Sequence, residues 1–455
     1  MRRNKKTGSG DMNLKPTKNE HLSTNIELMR MAFRNLSRHR VKTILTVMAV
    51  TVSVALYIVA DGWLTGMNID SIRNIVNYEI GAAKLQRRDY FQNKDELPMY
   101  ENFKGWQNYA AALEKSGYDS APRFVFSGTL YSEEGFAPLI FNAVDPAREE
   151  KLLRYTDYIE HGRYIKSGAF EIVIGSLLAK KLFPEGSNND VLISTVIDIK
   201  EGNTIRHVNQ IISAVIVGVV NSPDPQTNNM AFIPIDVLQD ESGLMLDGAV
   251  TELLIRKHDP DDAAIPGKSE SAPVITAALE KETGPLPDDI AIFSWKDYAQ
   301  DYIAASNGDN ISTRVMLLIL FILSLLGIAN TVLLAILERT KEIGMMRSLG
   351  MTDRELVLMM TFESGFIGLI GSVIGIAIGC LINIPMVKYG IDFTTMTENM
   401  NGDIGYRIAG AFRSAWNIPV IIISGIAATI LSACMAYIPT RRALKLPITE
   451  SLRFE

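Results

Sequence analysis

Hydrophobic and polar residues are segregated along this chain rather than mixed. Four stretches are apolar on every helical face: Ile44–Ala60 (ILTVMAVTVSVALYIVA), Val315–Leu337 (VMLLILFILSLLGIANTVLLAIL), a run from Val357 to Val387, and Ile418–Ile438 (IPVIIISGIAATILSACMAYI). Each is close to the ~20 residues that cross ~30 Å of hydrocarbon. A buried helix of a soluble protein seldom stays apolar all round for that length. The pattern predicts four membrane helices. A polar and basic stretch precedes the first, with no small-residue cleavage site after it, so it reads as a signal-anchor.

Between the first two runs the pattern changes to short β-rich segments and amphipathic helices. RFVFSGTLYSEEGFAPLIFNAV (Arg123–Val144) reads as a hairpin around Glu133, Glu134 and Gly135. Phe170–Phe183 reads as strand, glycine, then short helix. Gln210–Val220, Met230–Leu238 and Thr251–His258 read as further strands, and the proline- and amide-rich loop Asn221–Asn229 joins the first two. Pro273–Thr283 reads as helix, and Met67–Lys84 as a helical continuation of the first span. The expected fold class is therefore an α+β membrane protein. It has four transmembrane helices and a large α+β external domain inserted between helices 1 and 2.

Charge orients this arrangement. The formal net charge is −6. Basic residues collect beside the spans: Arg30, Arg34, Arg38, Arg40 and Lys42 at the first, Arg339, Lys341, Arg347 and Arg354 between the second and third, and Arg441, Arg442 and Lys445 after the fourth. Four crossings put all three groups on one side, which the positive-inside rule makes cytoplasmic. The expected boundaries are a cytoplasmic segment 1–42 with an amphipathic interfacial helix, spans at 43–66, 314–337, 356–387 and 418–438, an external domain with stalks at 67–313, a cytoplasmic loop 338–355, an external loop 388–417 and a cytoplasmic tail 439–455. The basic head leads straight into an apolar run, so it suits anionic lipid and not nucleic acid.

Candidate chemistry is sparse. The two cysteines, Cys380 and Cys434, lie in apolar runs at opposite depths, and the five histidines show no ligand spacing. No catalytic or metal site is expected. Gly371, Gly375 and Gly379 recur every four residues, with Gly368 just before, a face that lets another helix approach closely. Ile26, Met29, Phe33 and Leu36 form one face of the amphipathic helix. In ERTKEIGMMRSLGMTDREL (Glu338–Leu356) a short helix is expected to stop at Gly350. Thr352 and Glu355 then form a capping box for the third span, with Met351 and Leu356 as a staple. Ile343, Met345, Met346 and Leu349 are expected on one side of that short helix.

LMRMAFRNLSRHRVKTILTVMAV, ERTKEIGMMRSLGMTDREL and YIPTRRALKLPITESLR together resemble the FtsX-like permeases of the MacB and LolC/LolE type, and GRYIKSGAFEIVIGSLLAKKLF looks like the external domain of that branch. The resemblance covers nearly the whole chain. It implies an ABC-transporter permease subunit of the bacterial inner membrane with both termini cytoplasmic. The short helix would be the coupling helix, with Glu342, Ile343, Gly344, Arg347, Gly350 and Met351 as candidate contacts to an ATPase. No G-x-x-x-x-G-K-[ST] is present, so the chain is expected to carry no cofactor and no enzymatic activity. ATP and Mg would belong to a separate ATPase dimer. A second copy or a paralogous permease and membrane lipid are further implied partners. The external cargo is expected to be a lipoprotein or another periplasmic protein, with Ser222, Pro223, Asp224 and Pro225 as a candidate contact loop. Lipoprotein release is the implied task. Force transmission to an efflux partner or a cell-wall hydrolase is the alternative.

Overall fold

The computed structural model describes residues 18–36, 40–183, 189–201, 204–258, 271–300, 302–308, 311–316, 318–319, 322, 333–334, 340–392, 407–408 and 411–444. The chain forms two compact units. One takes in Met1–Gly62, Ser312–Ile384 and Asn417–Glu455, the other Trp63–Ile311 and Pro385–Trp416. Among the described residues three helices are long and apolar enough to cross a membrane: Thr43–Ile80, Asp353–Lys388 and Ile418–Arg441. Most of the expected second span, 314–337, lies outside the described residues, as do the tail beyond Leu444 and Asp259–Glu270.

In the first unit the glycine repeat of the Asp353–Lys388 helix faces the first apolar helix. A Cβ on Gly371 would lie 2.7 Å from the Val50 Cβ, one on Gly375 2.8 Å from the Thr51 carbonyl oxygen, and one on Gly379 3.2 Å from the Ala55 Cα. Gly368 instead faces the Ile418–Ala443 helix at Ser432. The Thr51 hydroxyl donates to the Gly371 carbonyl at 3.1 Å, a bond that needs this close backbone approach. Gly375→Leu should therefore force the helices apart. Overpacking of this kind costs about 1–3 kcal/mol. Gly365→Ala, whose Cβ would make an ordinary 3.5 Å contact with Ala433, is the internal control. Thermal unfolding of the full chain in detergent should show a lowered midpoint for the first variant only. Equal midpoints would mean that the glycine face is not a tight seam.

The second unit is built around a strand ring. β1 (Ala83–Arg87), β2 (Tyr118–Tyr131) and β3 (Phe136–Val144) are followed by β4 (Ile159–Gly162), β5 (Glu171–Gly175), β6 (Asp190–Glu201), β7 (Thr204–Val220), β8 (Ala231–Pro234), β9 (Glu252–Lys257) and β10 (Ile290–Ser294). β2 pairs β3, β3 runs parallel to β8, β8 pairs β5, β5 runs parallel to β7, and β7 pairs β6. β6 returns to β2 through Thr129–Ser194, Leu130–Ile193 and Tyr131–Leu192, which closes the ring. Phe126, Phe141, Ile172, Ile193, Ile212 and Ile233 fill its interior. The first half of β2 leaves the ring and pairs β9, which continues through β1 to β10. Helices Trp106–Lys115 and Ala272–Thr283 cover that extension with Leu113, Ile275 and Leu279.

Several local expectations need correction. The helix expected over Met67–Lys84 ends earlier: the α-helix stops at Asn74, a π-helical turn spans Ile75–Ile80, and Gly81 at φ +74° breaks it. Ala83 and Lys84 are already in β1, whose first four residues are all buried. Met230–Leu238 is strand only over Ala231–Pro234 and then turns, because Pro234 cannot donate to a continuing ladder. β6 was not expected at all. Val191, Ile193 and Ile197 point into the ring, but Leu192 and Val196 point out and are exposed, so the alternation that marks a strand is blurred. The expected external loop 388–417 falls with the second compact unit, which takes in Pro385–Trp416, and its residues 393–406 and 409–410 lie outside the described residues.

Where β2 passes from ring to extension it carries a buried ionic network. The Arg123 Nε donates to Glu149 Oε1 at 2.8 Å, and its Nη2 reaches the same oxygen. Nη1 donates to the Glu79 carbonyl at 2.9 Å. The Lys84 ammonium donates to both Glu252 oxygens at 2.8 and 2.9 Å. Burial pushes the Glu149 carboxyl above the usual carboxylate range, opposed by the Arg123 guanidinium.

Candidate functional site

The helix expected to follow the second span covers Thr340–Ser348. Its end is a complete Schellman motif. The Met351 N–H donates to the Met346 carbonyl at 3.1 Å and the Gly350 N–H to the Arg347 carbonyl at 3.1 Å. Gly350 sits at φ +100°, a conformation that costs a residue with a Cβ. The next helix starts at once with a reciprocal box. The Thr352 N–H donates to Glu355 Oε2 at 2.8 Å, and the Glu355 N–H donates to the Thr352 hydroxyl at 3.4 Å. Arg347 bridges the turn to Asp353 at 3.2 Å. The geometry of the short helix is thus fixed at its exit by backbone and side-chain bonds.

Its two faces differ from the expectation that four apolar residues share one side. Ile343 is buried, 6% exposed, in a cluster with Leu28, Ala32, Leu356, Met359, Met360 and Leu444, and Met346 packs on that cluster. Met345 is 56% exposed and Leu349 81% exposed, four residues apart on the opposite face. Of the six candidate contacts, Ile343 and Gly344 are buried. Glu342, Arg347 and Met351 are half-buried and Gly350 is exposed. Met345 and Leu349 are exposed apolar residues outside the six candidate contacts. Their i, i+4 spacing was visible, but the choice between the two faces depends on which one the remote Leu28 and Leu444 cover.

In the amphipathic helix Lys18–Leu36 three residues of the expected face stay together and the fourth, Leu36, turns inward. Leu28, Ala32 and Leu36 are its buried stripe, while Ile26, Met29 and Phe33 face outward. Phe33 still meets Phe366 edge-on at 5.7 Å, and the Asn35 amide reaches Glu363 at 3.4 Å.

Two family descriptions fit the chain. Residues 43–265 match the MacB-like periplasmic core domain, and residues 314–448 match the FtsX-like permease C-terminal family. The chain belongs to the FtsX-like, MacB-type ABC transporter permeases. An uncharacterized ABC transporter permease of Methanocaldococcus jannaschii is 23% identical over 94% of this chain and 98% of its own length. The lipoprotein-releasing system transmembrane protein LolC of Neisseria meningitidis is 22% identical over 77% of this chain and 82% of that protein. The macrolide export ATP-binding/permease protein MacB of Acinetobacter baylyi is 22% identical over 94% of this chain but only 60% of that protein. This permease is an integral membrane protein of a family that works with an ATPase partner.

The loop of this permease offered as an external contact turns inward. Ser222, Asp224 and Pro225 are buried and Pro223 half-buried, leaving Asn221, Gln226 and Asn229 exposed. The Ser222 N–H donates to Asn228 Oδ1 at 2.7 Å, and the Thr227 N–H to Asp224 Oδ2 at 3.1 Å. The loop is folded on its own side chains. Both cysteines are free.

Proposed function

We propose that this chain is the membrane subunit of an ABC transporter in which a separate ATPase grips the Thr340–Ser348 helix and drives the external domain to release a lipoprotein from the bacterial inner membrane. Four crossings with both termini cytoplasmic are part of this reading. The observation that carries it is the exposed Met345–Leu349 pair on a helix locked at its exit by a Schellman motif and a capping box. An apolar pair on a short, rigid, otherwise charged helix suits insertion into a groove on a partner. The lipoprotein reading is supported by the length relation with LolC, of which the chain spans 82%. Efflux is the second reading, favoured by the match of 43–265 to the MacB-like core and by the macrolide-export relative.

Cross-linking through exposed Gln226 and Asn229 in the intact complex, followed by mass spectrometry of proteins and lipids, separates the two. Acylated protein captured there supports lipoprotein release. A soluble adaptor without lipid supports efflux. Purification of the chain from its native membrane with no ATPase attached would count against both.

A further inference from the structure

The segment joining helices Asp353–Lys388 and Ile418–Ala443 contains one residue seated deep in a polar site of the second unit. The Arg407 Nε donates to Asp224 Oδ1 at 2.8 Å and its Nη2 to Asp224 Oδ2 at 2.8 Å, and Nη2 also reaches the Glu79 carboxylate. Its backbone is held as firmly as its side chain. The Arg407 N–H donates to the Ser71 hydroxyl at 3.1 Å, and its carbonyl accepts from the Asn74 amide at 2.7 Å. The same Asn74 amide donates to the Pro223 carbonyl at 3.1 Å. Asp224 is fully buried, and its Oδ2 also accepts from the Thr227 hydroxyl at 2.9 Å. Burial works against the guanidinium charge, but Asp224 and Glu79 outweigh it and hold the group above its ordinary value.

Three elements therefore meet on one residue. Ser71 and Asn74 belong to the last turns of the Arg40–Asn74 helix, Glu79 to the π-helical turn Ile75–Ile80, and Asp224 to the loop after β7. A fork-shaped, charge-assisted pair fixes direction as well as distance. The π turn carries one residue more than an α-helix of the same pitch, and such turns recur at functional sites. Glu79 lies one residue before its end.

We propose that Arg407 is a positioning residue for the coupled activity of this permease: it keys the segment between the last two apolar helices into the external unit, so that displacement of those helices reaches the π turn and the 221–229 loop together. The proposal rests on the reading that an ATPase drives the external domain. A mere structural tie would leave the response to nucleotide unchanged once the fold is intact.

The test is hydrogen exchange on the full chain in its complex with the ATPase, with and without a non-hydrolysable ATP analogue. In the parent protein, nucleotide should change exchange at 340–350, 71–80 and 221–229. In Arg407→Ala the change at 340–350 should persist, while that at 221–229 should fall about tenfold, the scale of a typical coupling between sites. Arg407→Lys keeps the charge but loses the fork and should fall between the two. Amides of β2 and β3 should stay protected in all three proteins. Equal responses in parent and Arg407→Ala overturn the assignment, and so does general loss of protection in β2 and β3. A parent complex that shows no nucleotide response at 340–350 or 221–229 overturns the functional reading and this proposal with it.

Discussion

Replacing Met345 and Leu349 together by Glu is expected to abolish binding of the ATPase while leaving the permease folded. Both side chains are more than half exposed and touch no core cluster, so the double variant should unfold at the temperature of the parent. At a partner surface the same change puts two charges into an apolar groove. Truncating a single buried anchor costs about 2 kcal/mol or more, and two carboxylates without partners cost further desolvation. A loss in affinity of at least about a thousandfold follows from roughly 4 kcal/mol. Pull-down from detergent and surface-immobilised titration would both read it. Ile343→Ala provides the opposite signature: its side chain is 6% exposed, so it should lower stability and leave affinity for the ATPase nearly intact. Wild-type affinity in the double Glu variant would remove the Thr340–Ser348 helix from the coupling interface.

The largest stability effect is expected from Arg123→Ala. It leaves Glu149 without its guanidinium in a fully buried site, where Glu149 Oε2 already has no hydrogen-bond partner among the described residues. Breaking a buried pair from one side costs about 3–5 kcal/mol, a large part of the 5–15 kcal/mol that holds a typical domain. Replacing both partners, as in Arg123→Met with Glu149→Leu, should recover most of that loss. The pH dependence has a definite sign. The folded-state Glu149 carboxyl already titrates above its ordinary value because of burial, and removing Arg123 deletes the main opposing influence. A group raised in the folded state favours folding below its unfolded pKa and loses that advantage as pH rises through the folded value. The deficit of Arg123→Ala should therefore be largest near neutral pH and shrink as pH falls toward the ordinary carboxylate range. Thermal unfolding of the full chain at several pH values checks this. A single variant as stable as the parent at neutral pH would show that the pair contributes nothing.

What the sequence made legible depends on how local each determinant is. Membrane helices were readable because an all-round apolar run needs no knowledge of its neighbours. The stop at Gly350 and the restart at Thr352 and Glu355 were readable because every bond involved spans at most five residues. The glycine repeat announced a close approach, although only the structure shows that Val50, Thr51, Val54 and Ala55 fill it. The buried face of the Thr340–Ser348 helix was misjudged, because Leu28 and Leu444, distant in sequence, decide it. The strand ring was hidden for the same reason: β2 and β6 meet through three residue pairs more than sixty positions apart. The buried Asp224 of the 221–229 loop pairs with Arg407, 183 residues away, and no local pattern can report such a partner.

The sharing of β2 between the closed ring and the open extension has a mechanical consequence. Its residues 118–123 pair with the extension and 129–131 close the ring, with no break in the chain between them. Relative rotation of the two parts would fall on residues 124–128, which pair with β3 on one side and have neither β9 nor β6 on the other. Torque applied to one part thus reaches the other through a single unbroken strand and its ladder to β3.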